Sequence, residues 1–284
     1  MTDLLGHAFM RHALAASALS AVASGAVGTL VVVNRMSTLT GAIAHASFGG
    51  LGLAFALGLP PMYGALGVAL LSALGIAALT SGPRSESPDT AMAAFWAMGM
   101  AAGLVFIRLS GSYAPDLMSW LFGSLLTVSR GDLFLMALMD LLILVIVGGL
   151  FKELAGISYD PEFAVVRGLP APLLRGVFMV TASVTVVMLM KMTGLILVMA
   201  MMTIPASVAR LSVHGMGRMM VASGVLALVL NLSGLGLAVV LDLPPGAVII
   251  LLSGTVYAVA TLLARRRRGP GRRLRSVGTA QNSQ

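Results

Sequence analysis

The chain contains the block Tyr159-Asp160-Pro161-Glu162-Phe163-Ala164, followed by Gly168, and then the segment Gly194-Leu195-Ile196-Leu197-Val198, followed by Pro205-Ala206 and Ala209. The first block is polar, whereas the sequence on both sides of it is almost entirely apolar. The second segment is apolar but contains Pro205, and proline removes a backbone donor and breaks a helix. The two together predict a polar loop and a broken helix inside a membrane-embedded protein.

The composition is that of a protein solvated by lipid. Of the 284 residues, 58% are hydrophobic and only 10% are charged, whereas soluble domains carry about 25% charged residues. Every backbone polar group must be satisfied within the bilayer, so helices are the expected elements. The absence of cysteine excludes disulfides, thiolate metal sites and thiol catalysis.

Apolar segments of the length required to span a membrane, about 20 residues, recur along the chain. Regions 110–131 and 193–210 are irregular, so the count is eight or nine. The sequence predicts an all-α polytopic helical bundle, with a single transmembrane domain over residues 1–264 and a basic, disordered tail over residues 265–284. The candidate spans are 8–33, 41–59, 62–81, 91–109, 132–150, 172–190, 193–210, 219–241 and 246–264.

The basic residues predict the orientation of the chain. The tail begins Arg265-Arg266-Arg267-Arg268 directly after the last candidate span. This position is typical of a cytoplasmic topology anchor that contacts anionic lipid. We therefore expect lipid, and no nucleic acid, as the partner of the tail, and a multi-pass protein with a cytoplasmic C-terminus. The polar loops 151–171 and 206–218 then also face the cytoplasm.

Besides the two blocks quoted first, several short motifs follow one another along residues 30–255. They are Asn34-Arg35-Met36-Ser37, Ala44-His45-Ala46, Gly49-Gly50, Glu86 with Asp89, residues 121–126, Ser233, and Asp242 with Pro244 and Gly246. Together these collinear motifs resemble the ABC-type permeases of bacterial zinc, manganese and iron importers, which are smaller relatives of the cobalamin and siderophore permeases. The resemblance implies an inner-membrane permease that pairs with a second copy or a paralogue, is driven by two cytoplasmic ATPases and receives metal from an extracytoplasmic binding protein.

His45 is the main candidate for contact with the transported metal, because polar residues deep in a span normally face a cavity or a partner. The family usually carries an acid four residues before this histidine, on the same helix face, where this chain has Gly41. Gly41, Ala42 and Gly49 are small, so we expect open space beside the imidazole and a weak, exchangeable contact. No tightly bound cofactor is expected, since the metal is the cargo.

Asp140 is the second candidate for the metal pathway, because it lies in the middle of the fifth segment. A carboxylate at that depth indicates either a pathway group or an ion pair. The chain also has 20 methionines, among them Met199. Thioethers bind copper(I), but the spacing of these methionines favours core packing.

The resemblance implies a gate helix that contains Gly194 and Pro205. This helix leads into a loop that binds the ATPase. In that loop, Gly215 and Gly217 permit a sharp reversal. Its predicted contacts are Ala206, Arg210, His214, Gly215, Gly217 and Arg218. The other candidate contact is the polar block, where Asp160 caps a helix and Pro161 suits its first turn. The residues of interest there are Asp160, Glu162, Ala164 and Gly168.

The sequence favours a transport subunit over an enzyme. It lacks a phosphate loop of the Gly-x4-Gly-Lys-Ser/Thr type, so ATP hydrolysis is expected on a separate chain. The predicted function is the permease of an ATP-driven importer of a divalent transition metal, namely zinc, manganese or iron. Import of a metal chelate is the alternative that Gly41 favours. An ion-coupled secondary carrier would need inverted repeats and intramembrane acids, and only Asp140 qualifies.

Overall fold

The structure is a computed structural model that describes residues 8–80, 86–110, 123 and 128–267. Residues 121, 122 and 124–126 of the family motifs lie outside this part of the chain, as does the basic tail beyond Arg267. The predicted boundary at residue 264 does not coincide with a helix end, because the last helix continues through Arg265 to Arg267. The regular secondary structure of the described residues is entirely helical.

Nine helical segments of the described chain are long and apolar enough to cross a membrane, which agrees with the higher of the two predicted counts. One long helix, α8, comprises two spans, α8a (Ala171–Lys191) and α8b (Thr193–Ser212). The full order is α1 (Ala8–Val33), α2 (Ser37–Ala56), α3 (Pro61–Leu79), α4 (Pro88–Leu109), α5 (Arg130–Gly149), α6 (Phe151–Tyr159), α7 (Pro161–Val166), α8 (Ala171–Ser212), α9 (Met216–Leu241) and α10 (Pro245–Arg267).

Helix starts are encoded locally by proline and by short polar side chains. α3, α4 and α8 carry proline in the first two positions, where the missing N–H group has no intrahelical partner to lose. Ser87 caps α4 by accepting a hydrogen bond from the Thr90 backbone N–H at 3.1 Å. Ser129 and Asp132 form a reciprocal capping box at the start of α5, which satisfies two otherwise unpaired donors.

The centre of the bundle is formed by α1, α2 and the two halves of α8. Both outer ends of α8 lie at the same end of the bundle, where Arg175 and Arg210 line one cavity. In α1 and α2, 78% of the apolar window is buried, whereas in α4 and α10 the value is 17%. α1 packs mainly against α9 and α8, and α2 packs against α3, α4 and α8. The peripheral helices therefore present their apolar side chains to lipid, and residues that contact cargo are expected on the central ones.

Glycine lets the central helices approach at backbone distance. A Cβ atom on Gly25 of α1 would lie 2.7 Å from Cα of Gly224 in α9. A Cβ atom on Gly49 of α2 would lie 2.8 Å from the carbonyl oxygen of Gly99 in α4. Lipid is as apolar as the helix surfaces, so no hydrophobic effect drives the helices together. Small residues instead allow close van der Waals packing between them. Glycine residues therefore set the distance between helices at these seams.

The break in α8 lies at Gly194, which has φ 79° and ψ 162°. Pro205 lies inside helical backbone, so the prediction that Pro205 breaks the helix is wrong. The reason is that proline loses one hydrogen bond but fixes φ within the helical range, whereas a positive φ ends the helix and is readily adopted only by glycine. Gly123 packs on this break, and a side chain there would overlap the backbone of Thr193 and Gly194.

The two ends of the bundle differ in charge. At one end, Arg35, Arg175 and Arg210 line a single cavity together with residues of α6 and α7. α9 starts at the same end, where Gly217 packs near the ring of Phe151 in α6. We call this the basic end. At the opposite end, Lys191 of α8a forms an ion pair with Asp132 of α5.

Candidate metal pathway and coupling surfaces

His45 lies in the middle of α2 with a fixed ring orientation. Its Nδ1 lies 2.8 Å from the carbonyl oxygen of Gly41. A carbonyl only accepts, so Nδ1 carries the proton and Nε2 keeps its lone pair. The imidazole also stacks on Trp96 of α4, with ring centroids 4.2 Å apart and an interplanar angle of 22°. The site therefore offers one oriented nitrogen ligand.

The space expected beside His45 is filled. A Cβ atom on Gly41 would lie 2.6 Å from Cε of Met199 in α8b and 2.7 Å from Cζ3 of Trp96. The prediction of open space at this position is therefore wrong. Gly41 instead makes room for an indole ring and a thioether side chain from two neighbouring helices, and neither neighbour is visible from the spacing within α2.

Trp96 was not among the residues predicted from the sequence. The chain has only two tryptophans, and this residue type concentrates at the membrane interfaces rather than in the middle of spans. A tryptophan inside the 91–109 segment could therefore have been selected as a candidate site residue from the sequence. Its contact with His45 could not, because that contact depends on how α4 packs. The glycine seam between α2 and α4 sets that packing.

His45, Trp96 and Met199 are all partly exposed in the single chain. A polar ring in the middle of a span is costly to expose to acyl chains. This face is therefore suited to a water-filled pathway or to another protein surface. We call these three residues the His45 face.

Asp140 is separate from that face. It is 4% exposed, and neither carboxylate oxygen has a hydrogen-bond partner among the described residues. Its helix, α5, packs mainly against α1, whereas α2 packs against α3, α4 and α8. The structure thus does not bring Asp140 and His45 together. No group of three or more His, Asp or Glu residues that could hold a metal occurs in the described chain.

The block Tyr159–Gly168 forms a protruding surface at the basic end. A helix begins at Pro161, as predicted, and the Asp160 carbonyl accepts a hydrogen bond from the Ala164 N–H at 3.1 Å. Ala164 is buried, whereas Glu162 is exposed. The turn after α7 uses Gly168 at φ 79°. The surface also carries apolar side chains in water-facing positions, namely Tyr159, Val165 and Val166, which are 61%, 59% and 84% exposed.

The segment 206–218 was predicted as a polar loop, and that prediction is wrong because most of the segment is helical. α8b runs through Ala206 and Arg210 to Ser212, and α9 contains Gly217 and Arg218. The helices continue because Ala206, Ala209 and Met219 pack with Val32 of α1 in a buried cluster. Only 213–215 lie outside helices, and His214 is exposed there. Gly215 has φ 91° and makes the reversal, whereas Gly217 is helical.

Comparison with known proteins gives matches over nearly the whole chain. The ABC 3 transport family matches residues 6–264. An uncharacterized membrane protein of Synechocystis sp. is 39% identical over 93% of this chain and 94% of its own length. The manganese transport system membrane protein MntC of Halalkalibacterium halodurans is 27% identical over 91% of this chain and 88% of its own length. The solved structure of PsaBC from Streptococcus pneumoniae in complex with Fab aligns with a TM-score of 0.81 and 27% identity, covering 91% of this chain and 93% of that chain.

These matches agree with the geometry. The family match begins before α1 and ends inside α10, so it includes eight of the described spans in full and the ninth up to residue 264. The structural match covers 91% of this chain, which confirms the helical permease fold expected from the motifs. The chain is a multi-pass transport subunit rather than an enzyme, and it belongs to the ABC 3 transport family.

Proposed function

We propose that this chain is the permease subunit of an ATP-driven importer that carries a divalent transition metal ion across the bacterial cytoplasmic membrane. The observation that supports this most directly is His45, an oriented imidazole that is partly exposed in the middle of α2. Imidazole is a good ligand for ions such as zinc and iron. The similarity to a manganese transport system membrane protein supports a metal cargo.

The His45 face suits brief rather than tight binding. One nitrogen ligand without a carboxylate beside it holds a divalent ion weakly, and a permease must release its cargo. The space next to His45 is occupied by Trp96 and Met199. A bulky metal chelate would need open volume beside His45, so the filled space there argues against a chelate as the cargo.

A second permease copy, or a paralogue, is proposed to cover the His45 face. The support is that the face is partly exposed in the single chain and carries a polar ring at mid-span depth. A homodimer would place two His45 imidazoles on opposite walls of one pathway. Each copy would then supply one weak ligand, and cargo arriving from an extracytoplasmic binding protein would pass between them.

The basic end is proposed to face the cytoplasm and to bind the ATPase dimer. Lys and Arg concentrate on the cytoplasmic side of membrane proteins, and Arg35, Lys152, Arg175, Arg210 and Arg218 all lie at this end. The protruding α6–α7 surface is the main proposed ATPase contact, because Val165 and Val166 expose apolar side chains beyond the spans. The turn at His214 and Gly215 is the second proposed contact.

Reconstitution tests the function directly. The chain is placed in liposomes with its co-purifying ATPase and binding protein, and uptake of zinc, manganese and iron(II) is measured with ATP on the ATPase side. Uptake of one of these ions that requires both ATP and the ATPase is expected. Uptake by the chain alone, driven by a proton or sodium gradient, would contradict the proposal and favour a secondary carrier.

The ATPase contact is tested by two charge substitutions at exposed positions. Val166→Asp is expected to weaken co-purification of the ATPase and to lower ATP-dependent uptake, because it puts a charge into an apolar contact. His214→Asp is the parallel change in the 213–215 turn, and a smaller loss is expected. If His214→Asp removes ATPase binding and Val166→Asp leaves it intact, the α6–α7 surface is not the main contact.

A further inference from the structure

We infer that the basic end carries a second binding site, for a phosphate-bearing anion, in a cavity of about 770 Å³ between helix ends. The cavity lies where α1, α3 and α8b end, where α4 and α8a begin, and beside α6 and α7. Its charged lining residues are Arg35, Arg175, Arg210 and Asp89. This site is separate from the His45 face, and it does not depend on which ion the permease carries.

The charges of the cavity are unbalanced. Three guanidinium groups face one carboxylate, which leaves a formal excess of two positive charges. Among the described residues, no ion pair joins any of the three arginines to a carboxylate. Asp89 instead accepts a hydrogen bond from Thr38 at 3.4 Å. A cation is repelled from such a cavity, whereas an anion is attracted.

The wall that carries Arg35 is fixed in an unusual backbone conformation. Arg35 has φ 58°, and this left-handed residue ends α1, where the Arg35 N–H donates to the Val32 carbonyl at 3.2 Å and the Met36 N–H donates to the Val31 carbonyl at 3.0 Å. The preceding residue, Asn34, donates from Nδ2 to the Leu30 carbonyl at 2.8 Å and to Ser158 Oγ at 2.9 Å. The bond to Ser158 ties the end of α1 to α6. The backbone that carries Arg35 is thus fixed beside the cavity by contacts within the chain.

Phosphate matches this donor set better than a carboxylate or a halide does. Each guanidinium is planar, remains charged and presents N–H donors in a fork that fits two phosphate oxygens. Three such groups around one cavity suit a tetrahedral anion with several acceptor oxygens. The cavity volume also leaves room for the organic group attached to the phosphate.

The rim of the cavity favours a lipid headgroup over a soluble phosphate. Thr80 and Pro88 form part of the lining and belong to the ends of α3 and α4. These helices leave most of their apolar windows unburied in the single chain, with 28% and 17% buried, and only Trp96 of α4 belongs to the His45 face. Acyl chains lying along α3 and α4 would bring a headgroup to the arginines. Basic pockets between helices on the cytoplasmic side bind anionic headgroups in this way.

The test measures binding of defined lipids to the full-length permease. Thermal stability in neutral detergent is followed during titration with phosphatidylglycerol, phosphatidylcholine or inorganic phosphate, and native mass spectrometry counts the retained lipids. The wild-type chain is expected to be stabilised by phosphatidylglycerol and little by phosphatidylcholine. The double variant Arg35→Gln, Arg175→Gln is expected to bind phosphatidylglycerol at least about tenfold more weakly, since each charged hydrogen bond lost costs about that much.

Matched controls separate this site from general surface charge. Lys152→Gln removes an exposed basic residue at the same end but outside the cavity, and it should keep wild-type binding. Arg35→Lys keeps the charge and loses the fork, so intermediate binding is expected even if the double variant folds poorly. Inorganic phosphate that stabilises as well as phosphatidylglycerol would assign the site to a soluble phosphate. Equal binding of phosphatidylglycerol by the wild-type chain, the double variant and Arg35→Lys would overturn the proposal.

Discussion

His45 and Asp140 are both ionisable residues in the middle of spans, but the structure treats them in opposite ways. His45 is partly exposed, hydrogen-bonded to Gly41 and stacked on Trp96. Asp140 is 4% exposed, and its oxygens have no partner among the described residues. The contrast shows that two ionisable residues in the middle of spans can have very different surroundings. An oriented ligand atom on a partly exposed face is our reason for proposing His45 rather than Asp140 as the metal contact.

The helices that carry the two residues also differ in their packing. α2 meets α4 through closely opposed glycines, Gly49 with Gly99 and Gly52 with Gly103. α5 instead turns a broad apolar surface outward, including Phe134 at 73% and Val145 at 62% exposure. Asp140 therefore lies on the buried side of a peripheral helix, opposite its outward apolar surface. His45 lies on a central helix that is packed closely against its neighbours.

The largest expected effect is the loss of uptake in His45→Ala. Uptake in the reconstituted system should fall at least about tenfold, which is the usual cost of disturbing a metal site, while assembly and basal ATP hydrolysis remain. His12→Ala is the matched control. His12 belongs to α1 and contacts the Val128 carbonyl at 2.9 Å, whereas His45 stacks on Trp96 of α4. Normal uptake by His45→Ala would exclude His45 from the pathway.

Gly49→Leu tests whether the glycine seam positions the site. A side chain at Gly49 meets the Gly99 carbonyl, so α4 must move and the stacking of His45 on Trp96 should be lost. Overpacking of this kind costs about 1–3 kcal/mol of the free energy of unfolding. A lower melting temperature and a changed tryptophan emission are expected.

Gly67→Leu is the control for that substitution. Gly67 lies in α3, and a Cβ atom added there would meet nothing within 4 Å among the described residues. The same leucine at Gly67 should therefore not lower the melting temperature, because leucine is a better helix former than glycine, and it should leave the emission unchanged. If Gly49→Leu behaves like Gly67→Leu, the close approach of α2 and α4 does not hold the site together.

Asp140→Leu tests the other half of the comparison. Replacing a buried carboxylate that lacks partners among the described residues by an apolar side chain should raise the free energy of unfolding by about 1–3 kcal/mol, with uptake retained. Denaturation of the purified chain and the same uptake assay measure the two quantities. A loss of uptake as large as that of His45→Ala would place Asp140 in the pathway after all.

The spans were predictable because each is a local property of composition and length. The segment 8–33 was predicted with the bounds that the structure gives, and the other spans differ by only a few residues at their ends. Features that depend on neighbours were not predictable. The helix α8b extends to Ser212 because Ala206 and Ala209 pack with Val32, and the break at Gly194 lies where Gly123 approaches the backbone of Thr193.

The candidate sites show the same division. His45 could be selected from the sequence because it is a histidine in the middle of a span. Its neighbours Trp96 and Met199 could not, because they belong to other helices and have no fixed sequence spacing from His45. The arginine cavity is assembled from the ends of several helices far apart in sequence, so no motif describes it. The charges at one end were visible in the sequence, whereas their convergence on a single cavity was not.

The smallest effect is expected for Met199→Leu, which asks whether the thioether belongs to the pathway or only to the packing. Cε of Met199 occupies the space opposite Gly41, and leucine nearly conserves its volume, so the stability change should stay under about 1.5 kcal/mol. Uptake of zinc, manganese and iron should be unchanged, because none of these ions depends on a thioether ligand. If uptake of a softer ion such as copper(I) were present and fell selectively in Met199→Leu, Met199 would join His45 as a ligand. The weak site would then rest on a nitrogen and a sulfur from two helices rather than on one imidazole.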